Sequence, residues 1–222
     1  MKKFLLPLIT LSILAGSCKK SSSGDAAANP PYMSSSAGST WNYEIINNIA
    51  GTTSLYTLAS TNRDSTIGGK IYHIYTNSSG TGNEYYNITG SDYYTFRFLG
   101  VQAGGSTVES IYLKDNSPVG TVWTQSVPVT LAGLPLTINF TNTIAEKGIS
   151  KTVNGITYTD VIHVTTTIAV PGVPASSLTT DIQSYYARKV GMIQTKYVLH
   201  LSYSGVVQTN DQLTNLKTSV IL

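Results

Sequence analysis

The feature that most constrains this chain is a two-residue alternation of apolar and polar side chains, recurring from Thr40 to the C-terminus with almost no helical period. Trp41, Tyr43 and Ile45 fall on one side of an extended chain, Asn42 and Glu44 on the other; Leu136, Ile138 and Phe140 alternate with Thr137, Asn139 and Thr141. Successive side chains of a strand point to opposite faces, so such runs build sheets with one buried face. Further runs occupy Ser54 to Ala59, Lys70 to Thr76, Glu84 to Thr89, Asp92 to Val101, Ser110 to Lys114, Val122 to Leu131, Asp181 to Ala187 and Met192 to Tyr203. Polar Ser60 to Thr66 reads as a break after the second of these.

Short turn signals separate the runs. The clearest is Asn154-Gly155, between Ile149 to Val153 and Ile156 to Val164, because Asn-Gly accepts the positive φ that a type I′ hairpin turn needs at both central positions. Fifteen tyrosines and 19 glycines agree with strands joined by tight turns. The expected fold is all-β: one antiparallel meander, curved into a half-barrel or barrel, with a β-sandwich as the alternative. Asn210 to Leu222 fits either a helix, through Leu213, Leu216 and Val220, or a closing strand, which is the preferred reading.

The N-terminal segment has a different grammar. Lys2 and Lys3 precede an eleven-residue apolar run, Phe4 to Leu14, and small residues lead to Cys18. A hydrocarbon core needs about 20 apolar residues to cross, so this run is too short to be a membrane span. It has the layout of a signal peptide, and a cysteine closing it resembles the bacterial lipobox, which implies a lipid, palmitate among its acyl chains, on Cys18. The expected organisation is a signal peptide over 1–17, a lipidated cysteine and flexible spacer over 18–36, and an all-β domain over 37–222. Serine, alanine, asparagine and proline dominate the spacer, whose eighteen residues after Cys18 would span roughly 20 to 25 Å as a coil.

Charge and cysteine content exclude several classes. Lys2, Lys3, Lys19 and Lys20 lie in the signal and spacer, which leaves 10 of the 14 basic residues against 11 acidic ones. A near-neutral domain has no basic stripe for phosphate backbones, so no nucleic-acid partner is expected. With Cys18 as the one cysteine, no disulfide, thiolate metal site or cysteine nucleophile remains. No metal, cofactor or catalytic residue is expected, since His73, His163 and His200 stand singly in alternating runs and no hydrolase or phosphate-loop motif occurs. Asp160 near His163 is a weak pairing.

Three segments carry a resemblance: Gly38-x-x-Trp41-x-Tyr43, Gly155-x-x-Tyr158-x-Asp160-Val161-Ile162-x-Val164, and Tyr185-Tyr186-Ala187-x-x-Val190-Gly191-Met192-Ile193. In that order they resemble small envelope lipoproteins of Bacteroidota, some of which look like the curved sheets of lipoprotein carriers and related lipid binders. The resemblance implies an envelope lipoprotein with a half-open barrel, and the expected location is the outer membrane, with the anchor on either face. The usual pattern has glycine where this chain has Lys189.

The aromatic residues point to a site. Trp41, Tyr43, Tyr93, Tyr94, Phe96, Phe98, Tyr185 and Tyr186 fall on neighbouring sheet positions, and Trp41, Tyr43, Tyr94, Phe96, Phe98 and Tyr186 are the candidate ligand-binding set. One face of the sheet packs as an ordinary core, or its concave side accepts an acyl chain or other apolar ligand, or exposed rings stack on glycans in a surface-binding or scaffolding role. All three readings are non-enzymatic, with the membrane reached through the anchor. Asp64-Ser65-Thr66, in an expected loop, resembles the O-glycosylation sequon of Bacteroidota.

Overall fold

A computed structural model describes residues 29–98, 107–131 and 134–222 of the chain. Cys18, the signal segment and the first part of the spacer lie outside the described residues, as do Leu99 to Val101 of the expected strand and the Phe98 side chain. Twelve strands are described: β1 Thr40–Asn47, β2 Thr52–Ile67, β3 Lys70–Asn77, β4 Glu84–Thr89, β5 Asp92–Phe98, β6 Thr107–Lys114, β7 Val122–Leu131, β8 Leu134–Val153, β9 Ile156–Ala169, β10 Leu178–Ala187, β11 Gly191–Tyr203 and β12 Val206–Val220.

All belong to one antiparallel sheet in the order β6-β5-β4-β3-β2-β1-β12-β11-β10-β9-β8-β7. The first and last strands therefore pair at the centre, Thr40 opposite Val220, and each half of the chain meanders outward from them. This confirms the closing strand at the C-terminus, which β1 and β11 hold from both sides. Bulges between Asn42 and Tyr43, Ser60 and Asp64, Tyr185 and Tyr186, and along β8 and β9 tighten the twist. The sheet thereby curls into a nearly closed barrel rather than a sandwich. Its edges, β6 and β7, follow each other in sequence and face each other across a seam. There Trp123 Nε1 donates to the Ile111 carbonyl at 2.9 Å, and the Gln125 amide donates to the Glu109 carbonyl.

Two expectations change. Ser60 to Thr66 is not a break, because β2 continues through it on a bulge and pairs again with β3 at Asp64. Asp64-Ser65-Thr66 is therefore strand, not loop. The runs Leu136 to Thr141 and Ile149 to Val153 are two ends of one 20-residue strand, β8, bent by successive bulges.

Hairpin turns alternate between the two barrel ends, and the packed core gathers at the end where the chain enters. Tyr32 and Met33, assigned to the spacer by composition, are 1% and 6% exposed and pack with Trp41, Tyr75, Tyr93 and Leu216. The plug they form is stitched down. The Tyr32 hydroxyl donates to Asp160 Oδ1 at 3.0 Å, its N–H donates to the Tyr93 hydroxyl at 3.0 Å, and the Lys189 N–H donates to the Pro31 carbonyl at 2.9 Å. Arg188 pairs with Asp160 and lies over the Tyr32 ring, 4.5 Å from its centroid.

This docking explains the third resemblance segment. Lys189 sits at φ +69°, a left-handed conformation that costs a non-glycine residue about 1–2 kcal/mol, which is why glycine suits this position. Gly191, at φ +97°, lies under the plug, and a Cβ there would come within 2.9 Å of Met33 Sδ and 3.2 Å of the Tyr32 carbonyl. Asn154 and Gly155, at φ +50° and +80°, form the expected type I′ turn.

Candidate ligand-binding lumen

Directly paired residues share a face, so the register sorts each strand into inside and outside. On β8 and β9, Phe140 with Ile168 and Ile144 with Val164 point inward, while Thr141 with Thr167 and Thr143 with Thr165 point outward. Asn142 with Thr166 also faces inward, between those two apolar pairs.

The inside is not filled. Three cavities follow one another along the barrel axis, sharing wall residues. The first, about 220 Å³, lies against the plug and is lined by Met33, Tyr43, Tyr56, Leu58, Glu84, Tyr86, Arg97, Tyr112, Tyr186, Met192, Thr195 and Thr214. The second, about 340 Å³, shares Arg97, Tyr112 and Tyr186 with it and adds Val127, Val129, Ile138, Phe140, Val164 and Ile182. The third, about 610 Å³, shares Ile138, Phe140 and Tyr197 with the second and reaches Pro171, Gly172 and Ser204 in the turns of the far end. They make one lumen, closed at the plug and, among the described residues, open opposite. Phe140, Ile168, Leu199 and Leu201 face inward yet stay only partly buried, because they border the third cavity.

Chemistry changes along this axis. The floor is aromatic and hydroxyl-rich: Tyr43 stacks on Tyr56 at 5.0 Å, Tyr112 contacts Tyr86 at 5.8 Å and Tyr186 at 5.4 Å, and the Tyr43 hydroxyl donates to the Met192 carbonyl at 2.8 Å. Burial pushes the phenols of Tyr43, Tyr86 and Tyr112 well above the usual range, and Tyr186 also moves up through burial. Above this ring the wall is mainly apolar, with Val127, Val129, Ile138, Phe140, Val164 and Ile182, and Ser110, Gln125, Asn142, Thr166 and Ser184 are set among them.

Among the sequence candidates, Tyr43 and Tyr186 line the lumen. Trp41 lies beneath it, fully buried, with Nε1 donating to the Val190 carbonyl. Tyr94 and Phe96 point to the other side of β5. Phe96 packs on Tyr72 at 5.9 Å and on Tyr85 at 6.4 Å, and Lys70 Nζ sits 3.8 Å above the Tyr94 ring. The Phe98 side chain is outside the described residues. Sequence reasoning missed Arg97, Tyr56, Tyr86, Tyr112 and the aliphatic wall from β7 to β11. Arg97 carries a usable signal, being the single charge among the residues that share a face with Tyr93 and Thr95.

The histidines remain apart, and among the described residues no three His, Cys, Asp or Glu side chains are placed to hold a metal ion. His163 stacks on Tyr185 at 4.3 Å, with Nδ1 2.9 Å from Glu146 Oε2, and does not meet Asp160. His73 makes a more suggestive set, since Ser60 Oγ is 2.9 Å from its Nε2 and Asp64 Oδ1 is 2.7 Å from its Nδ1. That is the connectivity of a Ser-His-Asp triad. Ser60, however, is 5% exposed, its hydroxyl donates to the Ser35 carbonyl at 3.1 Å, and it lines none of the three cavities. The set instead clamps the segment before β1 to the β2-β3 hairpin, together with the Tyr75 hydroxyl, which donates to the Ser34 carbonyl at 2.7 Å.

No family model matches the chain, and no curated protein matches it either. Among solved structures it is similar to the "crystal structure of a putative lipoprotein from Parabacteroides distasonis". The TM-score is 0.50 at 14% identity, over 86% of this chain and 99% of that one. At this identity the likeness establishes the shared all-β fold.

Proposed function

We propose that this chain is an envelope lipoprotein, anchored to the outer membrane through Cys18, which holds an apolar ligand in its barrel lumen without altering it chemically. The observation that carries the binding half is the lumen: aliphatic side chains facing inward around open volumes of about 340 and 610 Å³, the size range of small-molecule sites. Leaving that surface against water forgoes about 25 cal/mol per Å² of stabilisation, which a bound apolar molecule would supply. The anchoring half rests on the apolar run ending at Cys18, and the description of the Parabacteroides distasonis neighbour as a lipoprotein agrees with it. The chain enters at the plugged end, so an anchor there would leave the mouth facing away from the bilayer to which it is tied. Glycan stacking has less support, because Lys70 and Lys151 already cover the rings of Tyr94 and Tyr185 on the outer surface.

Two measurements test the halves separately. A neutral environment-sensitive dye such as Nile red should bind the purified domain with saturable fluorescence, and Val127→Trp or Ile138→Trp, which fill the second cavity, should weaken binding at least tenfold. Equal binding by the filled variants would remove the lumen as the site. In cells, Cys18→Ser should move the mature protein from the membrane pellet to the soluble fraction; undiminished sedimentation would refute the anchor.

A further inference from the structure

Arg97 is out of place in an apolar lumen. Its strand neighbours Tyr93 and Thr95 are buried on the same face, and it lies where the floor cavity opens into the aliphatic one, lining both. Although walled by protein, its side chain keeps 60% of its surface free, because that surface faces the cavity. A guanidinium has five N–H donors in a rigid fork and stays protonated. Among the described residues, Arg97 Nε reaches Thr95 Oγ1 at 3.3 Å, and the nearest carboxylate oxygen, Glu84 Oε2, is 3.9 Å from Nη2, beyond hydrogen-bonding distance. Glu84 is otherwise engaged, accepting from the Asn77 amide and from the Tyr86 hydroxyl.

A cation in a low-dielectric enclosure is costly unless an anion or hydrogen-bond acceptors compensate it. The Tyr86 hydroxyl and the Glu84 carboxylate beside it supply part of that compensation, and the side chain stays open to the floor cavity and to the mainly apolar one above it. Guanidinium binds carboxylate and phosphate oxygens in bidentate fashion, so the missing partner is an oxyanion. The geometry points to a single-chain amphiphile as the occupant, its anionic head on Arg97 and its tail running past Ile138 and Phe140 to Leu199 near the mouth. Neutral apolar molecules would fill the shaft but add no acceptor for the fork. This assignment rests on the lumen being a ligand site and adds to it the charge and orientation of the ligand.

The test compares three molecules of equal tail length, dodecanoic acid, dodecyl phosphate and dodecanol, by displacement of Nile red from the intact domain. At least one anion should bind tenfold or more tightly than the alcohol, and which one does identifies the head. Arg97→Gln should abolish that preference while Nile red and dodecanol still bind, and Arg97→Lys should keep part of it. Equal affinity for acid, phosphate and alcohol in the unmodified protein would overturn the role of Arg97 while leaving the lumen in place, as would a preference surviving in Arg97→Gln. Dye binding with no displacement by any of the three would also refute the amphiphile. Absence of dye binding itself would remove the lumen reading, and this inference with it.

Discussion

Stability is expected to fall steeply as pH rises above about 10, while staying nearly level through the neutral range. Burial holds the phenols of Tyr43, Tyr56, Tyr75, Tyr86, Tyr112 and Tyr186 above their ordinary range, and Tyr93 is pushed up to about 12. In the unfolded chain each would ionise near pH 10. Between that pH and the folded-state values the folded protein carries more protons than the unfolded one, so the free energy of unfolding decreases with pH. Each such tyrosine contributes a slope of about 1.4 kcal/mol per pH unit. Several acting together exceed the 5–15 kcal/mol typical of a whole domain within one or two pH units. Thermal or urea unfolding followed by circular dichroism at stepped pH, with tyrosinate absorbance read in parallel, checks this. Tyrosinate should appear with the loss of structure. Ionisation of most tyrosines near pH 10 with the fold intact would show that the ring around the floor of the lumen is open to solvent.

A chain that starts at Ala37, the domain boundary expected from composition, should be about 5 kcal/mol or more less stable than one that starts at Asn29. Removing a buried Tyr32 and Met33 leaves a cavity beneath the floor, and deletions of this size in other cores cost about 3–5 kcal/mol for a large aromatic and 2–5 for methionine. Hydrogen bonds go with them: Tyr93, Tyr75 and Arg188 each lose a partner in the segment from Pro30 to Ser34. For a domain of this length the loss corresponds to at least about 10 to 20 °C in Tm. Equal melting temperatures for the two chains would mean that the plug merely rests on the barrel.

How far the molecule was legible in its sequence varies with the kind of information required. Strand positions from Trp41 to Tyr203 could be read because the side-chain period of a strand is local, and the Asn154-Gly155 turn because positive φ at two successive residues selects few residue types. Tyr32 and Met33 were not legible as core. They sit among prolines and serines, and what buries them is a ring of partners, among them Tyr93, Asp160 and Lys189, that are distant in sequence. The break expected at Ser60 to Thr66 failed for a similar reason, since a bulge lets a polar run remain in register with β3. In β5 both faces carry aromatics, and sequence reasoning chose the one with Tyr94 and Phe96. Register with β4 puts those residues opposite Asn87 and Tyr85, while Thr95 lies opposite Tyr86, which lines the lumen.

By itself the sequence determined that this chain would be a meander of strands with tight turns, that its folded part would be close to neutral, and that one cysteine follows an apolar leader. These follow from properties that each short stretch carries alone: side-chain alternation, φ preference and charge. Only the tertiary structure decided which face of each strand curls inward, that β1 pairs with β12 so the edges meet at a seam, that the described residues leave the far half of the interior open, and that Arg97 stands where this space meets the floor cavity. A period of two divides a strand into two faces without saying which is concave, and volume left unfilled belongs to the walls together rather than to any one of them.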